Sequence, residues 1–201
     1  MKNRLHAGMI MPPSDLTPCG RLTATPEEFY TSACDEADRL KSEMELAERS
    51  RILDVGCGVG RLPIGLLARN MPFLSYLGTD VSLRRIKWCK RNIQNKDNRL
   101  DFQFINLKND RYNPRGKVQL DVGIKGKKFE IIYLYSVFSH LLQPDIEKYL
   151  GFFVVASVLR AYCGVEAIHC FSLNGLLLRR HDNNFPLAMT TTFQKNFLKI
   201  L

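Results

Sequence analysis

The sequence has no long run of apolar residues, and this absence excludes one class of protein at the outset. Its longest apolar stretches, residues 131–137 and 151–159, are far shorter than the ~20 residues that a membrane-spanning helix needs. The first residues are partly basic, but the apolar segment of a secretory signal peptide does not follow them. We therefore expect a cytoplasmic protein that has no membrane partner.

Closely spaced cysteine pairs are also lacking. No two cysteines form a CxxC pair, and no histidine lies at ligand spacing from a pair of cysteines. The six cysteines are Cys19, Cys34, Cys57, Cys89, Cys163 and Cys170. This spacing argues against a structural zinc site and against a disulfide framework. Free cysteine commonly packs as a small apolar side chain, so we expect reduced thiols and no metal site.

Acidic residues are too few to balance the basic ones. The chain has 20 Asp and Glu against 29 Lys and Arg, a net charge of +9, and the excess is clustered at residues 84–91, 111–117, 125–128 and 179–180. The clusters contain only two aromatic residues, Trp88 and Tyr112, too few for the interleaved pattern that a base-stacking platform would require. Solvated helix faces and loops are therefore the favoured interpretation, and binding of RNA or of an acidic substrate is the alternative.

What the sequence does contain is an alternation of strand and helix patterns in a chain of domain size. Residues 1–24 are predicted to form an irregular arm, and Thr25 and Glu28 match the capping box that begins a helix. Strands separated by helices need crossover connections, so residues 25–201 are predicted to be one doubly wound α/β domain, with a mainly parallel sheet and helices on both faces. The predicted strands are residues 51–55, 73–79, 100–107, 129–135 and 165–173; the predicted helices are residues 25–48, 61–69, 83–95 and 145–159.

Three glycines at alternate positions, Gly56, Gly58 and Gly60, follow the first predicted strand of the sheet. Glycine lets the backbone turn sharply and approach a ligand with no Cβ between them. Asp54 precedes the glycines at the carboxyl end of the strand, where open parallel sheets bind their ligands. This glycine loop is therefore predicted to be part of a binding site.

A second acid, Asp80, closes the second predicted strand. An acidic side chain in that place can accept hydrogen bonds from both hydroxyls of a ribose. The GxGxG spacing differs from the GxGxxG of dinucleotide sites, because Arg61 stands where the third glycine would be. The difference disfavours a nicotinamide-dependent dehydrogenase. Asp54 favours a cationic nucleoside, S-adenosyl-L-methionine, which carries a sulfonium and an ammonium.

These motifs make the sequence similar to the class I S-adenosylmethionine-dependent methyltransferases, which have a Rossmann-like fold. Residues 53–60 resemble the first motif of that family, residues 77–80 the second, and residues 129–142 the fourth-strand segment of its small-molecule subgroup. The resemblance implies methyl transfer from S-adenosyl-L-methionine to a small-molecule acceptor. Few residues follow position 173 for the last helix and strand pair of that family, so we expect the C-terminal strands to be incomplete.

The resemblance also implies a role for each site position. The glycine loop and Asp54 hold the methionine part of the cofactor, Asp80 holds the ribose, and the residues after the third strand lie beside the adenine. Asn106 stands where the family commonly has an acid, and an amide can still bond adenine. The implied cofactor contacts are Asp54, Gly56, Cys57, Gly58, Gly60, Asp80, Val81, Asn106, Leu107, and the backbone near Leu134 and Tyr135.

Methyl transfer needs a base only when the acceptor must lose a proton. His140, just past the fourth predicted strand, is the candidate base because imidazole titrates near neutral pH; packing at the start of the next helix is the alternative. Cys57 is interpreted as a small residue that lines the ligand. An RNA or protein acceptor, or a non-catalytic cofactor-binding module, are the alternatives to a small-molecule enzyme.

Overall fold

The computed structural model of the protein describes residues 4–17, 25–109, 112–117, 124, 127–135, 137, 160–164 and 171–172. Strands and helices alternate along the described chain after an N-terminal pair of short strands. The strands are β1 Arg4–His6, β2 Met9–Met11, β3 Arg51–Val55, β4 Ser75–Asp80, β5 Leu100–Phe104, β6 Ile131–Tyr135, β7 Arg160–Gly164 and β8 Phe171–Ser172. The helices are α1 Pro26–Met44, α2 Arg61–Ala68, α3 Leu83–Asn92 and a single 3₁₀ turn, Gln94–Lys96.

The main sheet has the strand order β5-β4-β3-β6-β7-β8. Its first five strands are parallel, and β8 pairs with β7 in the antiparallel direction. The connections from β3 to β4 and from β4 to β5 both lead toward the β5 edge of the sheet. Because such connections are right-handed, α2 and α3 lie on the same face of the sheet. The predicted doubly wound, mainly parallel α/β fold is confirmed. The helix predicted at residues 145–159 lies outside the described residues.

The first helix begins where the sequence predicts, because its capping box forms. The Thr25 hydroxyl accepts a hydrogen bond from the Glu28 N–H, and the Glu28 carboxylate accepts one from the Thr25 N–H. One face of α1, which includes Ala33, Ala37 and Leu40, is fully buried in the hydrophobic core. This face packs on α2, so α1 is part of the layer that covers the sheet.

The N-terminal segment differs from the predicted irregular arm. β1 and β2 form an antiparallel hairpin around Ala7 and Gly8, whose φ angles of 48° and 75° are both in the left-handed region. Two such residues make the tight turn whose twist matches a hairpin. Met11 is buried, and the ring of His6 lies against that of Tyr30 on α1. The hairpin therefore belongs to the core of the domain.

The strand beside β6 also lies earlier than predicted. We placed it at residues 165–173, after Gly164, but β7 ends at Gly164, which pairs with Tyr135 of β6. Of the predicted range, the described residues form β8, which is antiparallel. Pairing with Tyr135 of β6 keeps Gly164 in the sheet. No helix in the described part of the chain has the length and apolar character needed to cross a membrane.

Candidate functional site

The carboxyl ends of β3, β4 and β6 lie side by side at one edge of the main sheet. Val55 at the end of β3 is opposite Thr79 of β4 on one side and Leu134 of β6 on the other. The strand order reverses between β3 and β6, and open α/β sheets bind ligands at such a reversal. The glycine loop, Asp80, Leu134 and the residues after β5 all reach this edge, so the structure brings the predicted positions together there.

The glycine loop is folded across the end of β4. The Gly56 and Cys57 N–H groups both donate to the Thr79 carbonyl, at 2.7 and 2.9 Å. Gly56, Gly58 and Gly60 have φ angles of 77°, 57° and 74°, which side chains rarely tolerate. Gly56 is exposed and Gly58 is half-buried. The loop therefore offers a fixed backbone surface, free of Cβ atoms, at the site.

Asp80 connects the glycine loop to the start of α3. One carboxylate oxygen accepts the Gly58 N–H at 2.9 Å, and the other accepts the Ser82 N–H at 2.7 Å. Burial raises the pKa of Asp80, while these N–H groups and the charge of Arg85 oppose the rise. Each carboxylate oxygen has two lone pairs, so each keeps one for a further donor. This geometry fits a pair of adjacent ribose hydroxyls.

Asp54 lies deeper than Asp80 and has a different partner. Its carboxylate is 2% exposed and accepts a 2.6 Å hydrogen bond from the Tyr76 hydroxyl. Burial raises the pKa of Asp54 to about 7, although the Tyr76 hydrogen bond and the charge of Arg61 lower it. Gly78 makes room for this contact, since a Cβ there would lie 3.0 Å from the Tyr76 hydroxyl. The predicted contact of Asp54 with the ligand stays a prediction.

A half-buried arginine, Arg61, connects the glycine loop with β6 and α1. The guanidinium of Arg61, the first residue of α2, lies 3.7 Å from the centroid of the Tyr135 ring. It donates to the Ser32 hydroxyl at 2.9 Å and lies 3.9 Å from the Glu36 carboxylate. The Tyr133 hydroxyl also donates to Glu36. A cation at a helix N-terminus is unfavourable, and the nearby Glu36 carboxylate offsets this cost. Through its contact with the Tyr135 ring, Arg61 also fixes the end of β6.

Two thiols support the glycine loop from below. The Cys57 and Cys89 side chains are both buried, and their sulfur atoms lie 3.9 and 3.5 Å from the Gly58 carbonyl oxygen. Burial raises the pKa of the Cys57 thiol well above its usual value. The thiol is therefore protonated at neutral pH and is a poor nucleophile. Its predicted place among the cofactor contacts stays a prediction.

The connection after β5 is a structured turn that folds back on the strand end. The side-chain amide of Asn113 donates to the Leu107 carbonyl at 2.9 Å and to the Asn106 side-chain oxygen at 3.2 Å. The backbones of Asn109 and Asn113 exchange two further hydrogen bonds, at 3.0 and 2.8 Å. A Cβ at Gly116 would lie 2.5 Å from the Leu107 backbone, so only glycine fits. Asn106 and Leu107 are thus held at the rim of the site.

Arg85 links this turn to Asp80, although no pattern in the sequence predicted this role. We interpreted residues 84–91 as a solvated cluster, but Arg85 is buried, with its guanidinium 4.3 Å from the centroid of the Tyr112 ring. Its charge also favours the ionised form of Asp80. A charge cluster by itself does not show which of its members points inward. Tyr76, Glu36 and Arg61 were missed for the same reason, because their partners come from distant parts of the chain.

Other predicted positions have a less complete description. Leu134 is buried, Val81 and Tyr135 are half-buried, and the Val137 side chain lies where a Cβ on Gly56 would be, at 2.6 Å. His140 lies outside the described residues, so its role as a base stays a prediction. Among the residues that the structure describes, no three His, Cys, Asp or Glu side chains are grouped so that they could hold a metal ion.

Comparison with known proteins gives one family match. The model of a family described as "Methyltransferase domain" matches residues 53–160. The matched segment is more than half of the 201-residue chain. It contains the glycine loop, Asp80, the structured turn and β6.

Solved structures of low sequence identity are also similar. A putative S-adenosyl-L-methionine-dependent methyltransferase from Methanococcus maripaludis is 18% identical, with a TM-score of 0.50 over 68% of this chain and 56% of that chain. Magnesium protoporphyrin IX methyltransferase from Synechocystis PCC 6803 with bound SAH is 16% identical, with a TM-score of 0.49 over 74% and 63%. PKMT2 from Rickettsia typhi in complex with AdoHcy is 21% identical, with a TM-score of 0.44 over 67% and 25%. The chain thus spans a quarter to just under two thirds of these proteins, and the first likeness shows a shared fold.

Proposed function

Because this chain belongs to the family of methyltransferase domains, we propose that it is an S-adenosyl-L-methionine-dependent methyltransferase whose acceptor is a small molecule. The observation that carries the proposal is the hydrogen bond from the Gly58 N–H to the Asp80 carboxylate. It joins a Cβ-free loop to a buried acid at the strand-order reversal of the sheet. Asp54 lies beneath the same loop, so two acids favour a cationic nucleoside there.

The residues at this edge fit the parts of the cofactor in turn. Asp80 would bind the ribose hydroxyls through its remaining lone pairs, and the glycine loop would bind the methionine part. Asn106 would lie beside the adenine, held in place by the Asn113 side chain. The backbone near Leu134 and Tyr135 would meet the amino group, where Arg61 restricts the Tyr135 ring. Val81 would pack on the base.

The chemistry divides between the cofactor and the chain. When bound, S-adenosyl-L-methionine supplies a methyl group already activated by a positive sulfur. The chain aligns the acceptor and limits the access of water, because methyl transfer is an in-line displacement that depends mainly on orientation. Asp54 and Asp80 contribute negative potential beneath the bound cation. His140 is the proposed base for an acceptor that must lose a proton.

The small-molecule acceptor rests on the likeness of residues 129–142 to the fourth-strand segment of small-molecule methyltransferases. Since the chain spans only part of the structures that it matches, the acceptor is the least constrained part of the proposal. Turnover with a panel of small O, N and C nucleophiles tests it. Methylation of RNA or protein, with no activity on the panel, would overturn this part alone.

Cofactor binding is tested by thermal unfolding with S-adenosylhomocysteine. At a concentration of ~100 Kd the ligand stabilises the native state by ~2.7 kcal/mol, which for a domain of this size is a rise of roughly 5–10 °C in Tm. The variant Asp80→Asn should weaken binding by at least ~10-fold, since hydrogen bonds to a charged acceptor each contribute ~1.5–3 kcal/mol.

The matched control is Asp101→Asn, which removes the charge of an exposed acid on the edge strand β5. It should bind S-adenosylhomocysteine as the unsubstituted protein does. An unchanged Tm of the unsubstituted protein at saturating ligand would sink the proposal. Equal weakening by both substitutions would show that net charge, and not the Asp80 contact, controls binding.

A further inference from the structure

The solvent side of α3 carries positive charge only. The helix, with the sequence LRRIKWCKRN, has five basic residues and no acidic one. Arg85 points inward, while the other four basic side chains are exposed, as is Lys96 in the 3₁₀ turn that follows. We name this surface the basic ridge; it consists of Arg84, Lys87, Lys90, Arg91 and Lys96.

The arrangement of the ridge opposes helix stability. Arg84 and Lys87 are three residues apart, Lys87 and Arg91 four apart, and like charges at these spacings repel each other on a helix. Arg84 also lies in the first turn, where the helix dipole disfavours a cation. Arg84 pairs with exposed Asp15, but Lys87, Lys90 and Arg91 form no ion pair with any residue in the described ranges.

The contrast with α1 shows that this surplus is local. On α1 the charged residues have both signs and form ion pairs, such as exposed Asp38 with Arg69 at 2.8 Å and buried Glu36 with Arg39 at 3.4 Å. A positive net charge spread evenly for solubility would not leave α1 with six acidic and two basic residues and α3 with basic residues only. The concentration of unneutralised cations on α3 indicates a partner with regularly spaced negative charges.

We propose that the basic ridge binds the phosphate backbone of RNA. From Arg84 to Arg91 the ridge extends over about 10 Å of helix, long enough to contact more than one phosphate. Its exposed side chains are long cations, with no amide or hydroxyl to read a base edge, and the ring of Trp88, the aromatic residue of α3, is half-buried against the core. Recognition through phosphates and shape, without base contacts, is typical of binding to double-stranded RNA.

A membrane surface fits the same helix poorly. An interfacial helix needs a continuous apolar face that is free to enter the lipid. On α3, Ile86 and Cys89 are buried in the core and Trp88 is half-buried against it, so Leu83 is the single exposed apolar residue of this helix. An acidic protein is the remaining competitor, and the experiment below distinguishes it from RNA.

The ridge begins next to the candidate cofactor site. Ser82, the N-cap residue of α3, donates its N–H to Asp80, and Arg84 follows two positions later. RNA bound along the ridge would therefore reach the edge of the sheet where the glycine loop lies. The inference goes beyond the proposed function, since an RNA surface here is compatible with any methyl acceptor.

The test is a fluorescence anisotropy titration of the full chain with a fluorescein-labelled RNA hairpin. Affinity should fall between about 50 and about 200 mM salt, with a slope of log Kd against log salt that reflects the phosphates neutralised. The triple variant Lys87→Gln, Lys90→Gln, Arg91→Gln should bind at least ~10-fold more weakly and reduce the slope by ~2–3, about one for each cation removed.

The matched control is Lys41→Gln, Lys127→Gln, Lys128→Gln, which removes the same charge from exposed positions outside α3. It should keep the affinity within ~2-fold, because distant surface charges are screened at these salt concentrations. An equal loss in both triple variants would overturn the proposal, and so would an unsubstituted protein that does not bind the hairpin. Equally tight binding of the same hairpin made of DNA, or equal competition by polyglutamate, would rule out the assignment to RNA.

Stabilisation by S-adenosylhomocysteine is measured on the same variants. It should be unchanged in the ridge variant, so loss of RNA binding and failure of the cofactor proposal are separate results. If the triple variant is unfolded by circular dichroism, the double variant Lys87→Gln, Arg91→Gln carries the test, with an expected slope reduction of about two.

Discussion

At the scale of single residues, burial and hydrogen bonding separate the two acids of the site. The Asp80 carboxylate accepts two backbone N–H groups, whereas the buried carboxylate of Asp54 accepts the Tyr76 hydroxyl. Hydrogen bonds to a carboxylate favour its charged form, and desolvation disfavours it. Asp54 has the larger desolvation with fewer donors, and its pKa of about 7 follows from that balance.

The first prediction concerns the pH dependence of stability. The pKa of Asp54 is about 7 in the folded protein and about 4 in an unfolded chain, so the native state binds this proton more tightly. The resulting stabilisation is complete below about pH 4 and is lost as the pH rises through about 7. Asp54→Asn keeps a neutral acceptor for Tyr76. As the pH rises from about 5 to about 8, the unsubstituted protein loses this stabilisation and Asp54→Asn does not. The free energy of unfolding of Asp54→Asn should therefore increase by ~3 kcal/mol relative to that of the unsubstituted protein.

Urea denaturation at several pH values measures this difference. The exposed-site variant Asp101→Asn is again the control. Its free energy of unfolding should change with pH in the same way as that of the unsubstituted protein. A constant gap between Asp54→Asn and the unsubstituted protein would mean that Asp54 is ionised throughout, and the balance described above would be incorrect.

Single residues also show which parts of the site can be predicted from the sequence. Asp54, Asp80 and the glycines were found from the sequence, because they follow strand patterns at fixed spacing. Tyr76 and Gly78 were not identified as a unit, although their two-residue spacing places both on the face of β4 next to Asp54. The pairing of β3 with β4 brings these residues next to Asp54. The sequence pattern does not show the register in which two strands pair, so this contact could not be predicted.

At the scale of elements, the short helix α2 depends on close contact with α1. α2 has eight residues, and a Cβ added at Gly65 would lie 1.9 Å from the Ala33 carbonyl oxygen on α1. The obstacle is backbone and not a flexible side chain, so a larger residue at position 65 forces the helices apart. Arg61 begins α2, so its contacts with Ser32 and Glu36 depend on the same packing.

The second prediction is that Gly65→Ala strongly destabilises the domain. Overpacking of a core that cannot relax locally costs ~1–3 kcal/mol, and more when backbone must move. Gly8→Ala is a useful control, because a Cβ at Gly8 meets nothing within 4 Å and the cost is only that of its φ of 75°, ~1–2 kcal/mol. Urea unfolding should rank Gly65→Ala as the less stable variant. The reverse order would show that α1 can move away from α2 easily.

Starts of elements were predicted better than ends. The capping box of Thr25 is a local signal, and α1 begins as expected. Its end at Met44 depends on Glu45 adopting a left-handed φ of 49°, and the apolar pattern continued to about residue 48. β7 is an exception, because it begins at Arg160 and not at residue 165, and Gly164 belongs to the sheet through its pairing with Tyr135.

At the scale of the whole molecule, the N-terminal hairpin and the α/β layers share one core. Met11 is 1% exposed and belongs to the same cluster of buried side chains as Phe29 of α1 and Ile52 of β3. The hairpin also supplies Asp15, soon after β2, as the ion-pair partner of Arg84 on α3. Met11 and Asp15 therefore contact the α/β layers, within the segment where the sequence predicted an irregular arm.

The third prediction follows from this shared core. Met11→Ala should lower the free energy of unfolding by ~2–5 kcal/mol, as large-to-small substitutions in a core do. Leu5→Ala, at a side chain that is 68% exposed on the same hairpin, should change it by less than ~0.5 kcal/mol. Chemical denaturation of both variants tests whether the hairpin folds with the domain. If both substitutions changed the free energy of unfolding by similarly small amounts, the hairpin would not be part of the cooperative core.

By itself the sequence determined the order of strands and helices from α1 to β6, the glycine loop, and the two acids that flank it. These features depend on local periodicity, on capping and on glycine's backbone freedom, all of which short windows of sequence contain. Only the tertiary structure decided that Arg85 points inward, that Tyr76 holds Asp54, and that Met11 lies in the core. Burial and the pKa values that follow from it depend on which distant elements meet, because desolvation and hydrogen bonding are set by neighbours in space.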